Sequence, residues 1–166
     1  TDFFGAYSHQ DNFGMARYSP QDKKAGKKIW IWGLSQQGMI WEKLLTDTDG
    51  QYVEVQSGRL FNQAADASTF TPFKHRGFAP ATSDSWTEYW FPVMDIKGFV
   101  KANSFGALNL RSENGYLKIS FSPLQTIDEE LKVFDGDRLV YSKKVSLKTL
   151  KVFSDSVRFT GNSDKL

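Results

Sequence analysis

The sequence predicts an all-β protein of antiparallel sheets, and three observations carry that prediction. Short runs with a two-residue apolar alternation recur along the chain, as in KKIWIWG (27–33), QYVEVQS (51–57) and YLKISF (116–121). That is the period of a half-buried strand. Turn clusters separate them: SPQD (19–22), AG (25–26), TDG (48–50), PATSD (80–84) and DGD (135–137). No stretch carries the sustained 3.6-residue period of a long amphipathic helix.

Taken in order, Phe3 to Tyr7 and Phe13 to Tyr18 read as the first strands. In 27–33, Ile29 and Ile31 share one face and Trp30 and Trp32 the other. GMIWEKLL (38–45) is short and is compatible with either a helical turn or a strand. In 51–57, Val53 and Val55 form the face expected in a core, and Tyr52, Glu54 and Gln56 the opposite face. WTEYWFPV (86–93) is a further strand, with Pro92 marking its end. KGFVKANS (97–104) reads as a connector. Beyond it, 116–121 alternates, and EELKVFDGDRLVYSKKVSL (129–147) reads as a hairpin turning at Asp135-Gly136-Asp137.

The five tryptophans all lie before residue 100, which suggests two units, 1–100 and 101–166. The regular spacing in the second suggests an immunoglobulin-like sandwich. About four or five strands fit there against the roughly seven of a full one, so it reads as incomplete.

Composition narrows the function classes. The chain has 166 residues, 40% hydrophobic and 24% charged, ordinary values for a globular protein. A net charge of +2 supplies no strong field toward nucleic acid or an anionic membrane. No apolar run is long enough for a membrane-spanning helix. Cysteine is absent, which excludes disulfides, thiolate catalysis and thiolate-held metals. TDFFGAYSHQ has neither the start of a signal peptide nor a leading Met, so the chain reads as a piece of a longer protein or a processed form. There is no Gly-rich phosphate loop, no Ser-His-Asp order and no His-rich metal spacing, so no cofactor or metal is expected.

The informative stretch is LLTDTDGQYVEVQSGRLFNQ (44–63). As a calcium loop it fails at two ligands. With Gly50 at the sixth position, the first is Leu45 and the twelfth Gln56. As a turn leading into a strand it accounts for Asp47, Asp49 and Gly50. Neither reading accounts for Glu54. Its face, with Tyr52 and Gln56, is either a wetted sheet surface or the floor of a polar cleft. Carboxylates and amides bond vicinal hydroxyls, and aromatic rings cover the C–H face of a sugar. Arg59 and Asn62 follow soon after, and Trp32 is a candidate platform. The tryptophans are otherwise expected in the core. His75, in the loop TPFKHRGFAPATSD (71–84), is a candidate for the cleft mouth, beside the reading of an irregular loop without function. Glu42 with Glu54 could form a glycosidase pair only at a separation that sequence does not supply. Lys23-Lys24 and Lys27-Lys28 read as solvated charge.

DNFGMARYSP (11–20), AGKKIWIWGLSQQGMIWEKLLTDTDGQYVEVQSGRLFNQ (25–63) and TEYWFPV (87–93) carry a family resemblance over about residues 3–110. The chain resembles the C-terminal half of the galactose-mutarotase-like (aldose-epimerase-like) β-supersandwich. More closely, it is similar to a bacterial domain-of-unknown-function family often found with tetratricopeptide repeats. The resemblance implies a sandwich with a concave sugar-binding face. It also implies that Glu54, followed by Gln56 and Asn62, is the base-like carboxylate. The family's acid histidines lie in the preceding half, and His9 and His75 match none of its motifs.

The expectation is therefore a carbohydrate-binding or carbohydrate-processing domain, with sugar held around Glu54 by Tyr52, Gln56, Arg59, Asn62, His75 and Trp32. Two alternatives stand beside it: an epimerase or glycoside-processing enzyme completed by a missing N-terminal half, and a structural or interaction module without catalysis. The expected partners are carbohydrate and the rest of the same protein, with no nucleic acid and no membrane insertion. The compartment stays open between cytoplasm, periplasm and exterior.

Overall fold

The computed structural model describes residues 1–24, 26–46, 48, 50–58, 79–161 and 166. Eleven strands and one helix are found among them: β1 Phe3–Ser8, β2 Phe13–Tyr18, β3 Gly26–Ile31, α1 Gln36–Leu45, β4 Val53–Gly58, β5 Tyr89–Met94, β6 Lys101–Asn103, β7 Gly106–Glu113, β8 Tyr116–Pro123, β9 Ile127–Asp135, β10 Arg138–Leu147 and β11 Phe153–Arg158. The protein is all-β, and its strands pair antiparallel in sheets ordered β1-β2-β5, β3-β4, β11-β8-β7-β6 and β10-β9. No helix among the described residues is long and apolar enough to cross a membrane.

The chain folds as two compact units. The first joins Thr1–Pro20 to Glu88–Leu166, and the second is Gln21–Thr87. In the first, β2 and β5 are brought together with Tyr18 opposite Tyr89, so the ends flanking the second unit are adjacent. Arg17, buried on β2, closes this pairing by donating from Nε to Glu88 at 2.6 Å. Ala16, Phe91 and Val93 then meet Ile96, Ala102 and Ala107 in one apolar core. The Tyr7 hydroxyl holds the turn beside that core. It accepts from the backbone N–H groups of Ile96 and Lys97 at 3.2 and 3.0 Å and donates to Asn12 at 2.6 Å.

A second core fills the space between the four-stranded sheet and the β9–β10 ribbon. Leu110, Leu117 and Ile119 pack there with Val133 and Phe159. β10 is tied to β11 where Lys143 and the Tyr141 hydroxyl both donate to Asp155. The expected hairpin turn is present: β9 ends at Asp135, β10 starts at Arg138, and Gly136 supplies the left-handed φ of 59°.

Several sequence expectations need correction. The connector 97–104 contains β6, a short strand with Ala102 buried and its neighbours exposed. β7 and β11 were not anticipated. GMIWEKLL falls within a ten-residue helix. Of the two readings left open for 38–45 the structure takes the helix, and Asp47 and Asp49 lie outside the described residues. Strand β5 begins at Tyr89, three residues after Trp86.

Candidate functional site

The site is built on the β3–β4 ribbon of the second unit. Register places Trp30 opposite Glu54 and Lys28 opposite Gln56, so these four share one face. Ile29 faces Val55, and Ile31 faces Val53, on the other. The sequence reading put the Val53/Val55 face in a core and left the Ile29/Ile31 face unassigned. In the structure Ile29 is 62% exposed, Ile31 67% and Val53 50%. Alternation fixes which residues share a face but not which face becomes covered.

Trp30, Ile31, Trp32, Tyr52 and Glu54 line a hollow of about 140 Å³. Tyr52, Glu54 and Gln56 are each half-buried, between the open surface and the deep cleft that the sequence left as alternatives. The Gln56 amide donates to a Glu54 carboxylate oxygen, which orients that carboxylate along the ribbon. Lys28 is a neighbour on this face, and partial burial lowers its pKa.

Helix α1 completes the aromatic wall. Trp41 stacks on Trp32 with centroids 4.7 Å apart and planes 14° from parallel. Ser35 starts the helix: its hydroxyl accepts from the Gly38 N–H at 3.3 Å. A Cβ on Gly38 would lie 1.7 Å from the Gly33 carbonyl oxygen, so only glycine lets the first turn seat on the chain leaving Trp32. At the other end the Thr46 N–H donates to the Glu42 carbonyl. Glu42 is half-exposed on this helix.

Of the residues singled out from sequence, Glu54, Tyr52, Gln56 and Trp32 come together here. Arg59, Asn62 and His75 lie outside the described residues. His9 belongs to the first unit, where its ring is 5.4 Å from that of Tyr7. Trp41 and Lys28 were missed as members of the face. Lys28 was legible, since it alternates with Trp30 and Trp32. Trp41 was not, because its partner comes from a separate element.

Two readings of side chains change. The tryptophans were expected mostly in the core, but all five are more than a third exposed, from Trp41 at 37% to Trp30 at 45%. Lys24 was read as solvated, yet it is 2% exposed. Its ammonium lies 3.2 Å from Asp84 and 3.2 Å from the centre of the Trp86 ring, so an ion pair and a cation–π contact replace its water.

No solved structure matches the chain. A family profile described as "Domain of unknown function (DUF5107)" matches residues 1–93, more than half of the sequence, and spans the ribbon, the helix and the aromatic face. The chain belongs to the DUF5107 family.

Proposed function

We propose that the aromatic face of the β3–β4 ribbon binds carbohydrate, with Glu54 as its polar anchor. The observation that carries this reading is the stacked Trp32–Trp41 pair beside Trp30, Tyr52 and an oriented carboxylate. Exposed rings present flat apolar surface to the C–H side of a pyranose, and a carboxylate accepts from two adjacent hydroxyls. The hollow is smaller than the roughly 300–1,000 Å³ of enclosed small-molecule sites, which suits one ring laid on a platform. Binding is favoured over proton transfer because the partner given to Glu54 is the Gln56 amide, which neither takes nor releases a proton at ordinary pH. The galactose-mutarotase-like fold, and the company of tetratricopeptide repeats, belong to the same proposal and rest on the motif resemblance.

Titration calorimetry with a panel of free hexoses, pentoses and short oligosaccharides tests it. A wild-type chain that binds, with affinity falling about tenfold or more in Glu54→Gln and in Trp32→Ala, is the expected result. Absence of heat with every sugar, or binding indifferent to both substitutions, would leave the structural-module account in its place.

A further inference from the structure

Two of the three sheets of the first unit, the four-stranded one and the β9–β10 ribbon, differ in width. The β9–β10 ribbon covers one side of the four-stranded sheet: β10 is tied to β11 through Asp155, and β9 packs inward beside it. The β7–β6 side extends past the ribbon. There a groove of about 510 Å³ runs along β9, with Leu108 and Phe121 from the wide sheet and Ile127 and Leu131 from β9. Phe105, 48% exposed, stands among its lining residues.

This groove runs between the wide sheet and the ribbon, with Val145 of β10 also in its lining. Glu130 also lines it, although its side chain alternates away from Glu129 and Leu131, so the groove reaches the backbone edge of β9. That edge is nine residues long, and among the described residues β9 pairs with β10 alone. Its N–H and C=O groups form a template for another extended chain.

Charge narrows the occupant. Asp128 has Lys144 at 3.8 Å, and Glu130 has Lys132 at 2.8 Å. Glu129 shares the inward side with Ile127 and Leu131, lines the groove, and has no ion-pair partner among the described residues. An inward carboxylate disfavours a purely apolar strand and favours one that brings a cation.

The geometry points to a docking site for an extended polypeptide segment that pairs with β9 and alternates apolar residues, seated on Leu108 and Phe121, with a Lys or Arg against Glu129. Main-chain pairing supplies affinity and the carboxylate supplies selection. The inference is independent of the carbohydrate reading.

The test uses a fluorescein-labelled peptide that carries valine, lysine and valine on one strand face and threonine on the other, its counterpart with glutamate in place of that lysine, and residue-resolved amide exchange on the whole chain. The expected result is binding of the lysine peptide with slowed exchange along 127–131. Affinity should fall at least about tenfold in Glu129→Lys and by less in Glu129→Gln. Glu129 is exposed, so neither variant threatens the fold. Equal binding of the glutamate peptide, unchanged exchange along β9, or indifference to Glu129→Lys would each overturn the proposal. So would dimerisation of the chain through β9 in place of peptide binding, which would make a second copy the occupant. Displacement of the lysine peptide by anilinonaphthalene sulfonate without any β9 protection would assign the groove to a small apolar ligand and overturn it as well.

Discussion

Asp155 accepts from the Lys143 ammonium at 2.7 Å, the Ser156 N–H at 2.7 Å and the Tyr141 hydroxyl at 2.9 Å. These bonds, that of Lys143 foremost, hold its pKa down to about 2 from 3.8. Burial, and then Asp155 itself, raise the pKa of Tyr141, which stays a donor. A carboxylate with a lowered folded pKa adds stability above its ordinary value and loses it as pH falls toward the folded one. Asp155→Asn should therefore cost about 1 kcal/mol at neutral pH, the scale of a partly exposed pair. The difference from wild type should shrink between pH 3.8 and about 2, as read from denaturant midpoints. Lys24 makes a sharper case. It is 2% exposed while Asp84 is 30% exposed, so removing the carboxylate strands a buried ammonium, whereas removing the ammonium leaves a carboxylate that water can reach. Asp84→Asn should cost about 3 kcal/mol and Lys24→Met less. The reverse order in thermal unfolding would mean that the contact of the ammonium with the Trp86 ring outweighs its ion pair with Asp84. Nothing in the pair Lys23-Lys24 separates these two lysines in sequence. Lys23 is 66% exposed beside Asp22, and Lys24 turns inward, because Asp84 and Trp86 arrive from sixty residues away.

The β3–β4 ribbon and α1 are short elements that lean on one another. A two-stranded ribbon is marginal alone, and so is a ten-residue helix. The Trp32–Trp41 stack therefore depends on the helix start. Ser35→Ala should cost about 1 kcal/mol and weaken the near-ultraviolet dichroism of the stacked pair. An unchanged spectrum would show that the Gly33–Gly38 contact alone holds the helix in place. The alternation of both strands, and hence the shared face of Trp30, Trp32, Tyr52, Glu54 and Gln56, was legible in the sequence. The helix was not, since eight residues with Trp, Ile and Met fit a strand as readily as a turn of helix. Strand β6 was hidden for a related reason. Three residues give too little alternation to see, and its pairing with β7 comes from tertiary register.

At the scale of the molecule, the family match ends at residue 93, inside β5, but the core does not. Phe91 and Val93 pack against Ile96, Ala102 and Ala107. A chain cut after residue 93 should expose this core and aggregate or lose its cooperative unfolding, whereas the whole chain should not. The converse cut is milder. Because Tyr18 lies opposite Tyr89, replacing 21–87 with a tight turn should leave a folded first unit that keeps its β-rich dichroism. Failure of that excised chain to fold would show that the first unit depends on the second.

By itself the sequence determined the all-β class, the hairpin at Gly136 and the residues that share each strand face. These follow from local backbone preferences and a two-residue period, which neighbours along the chain fully specify. Tertiary structure alone decided which faces are covered, that Lys24 is buried, that Trp41 joins Trp32, and that Thr1–Pro20 belongs with Glu88–Leu166. Those outcomes depend on contacts between residues far apart in the chain, and alternation is silent about which partner a face will meet.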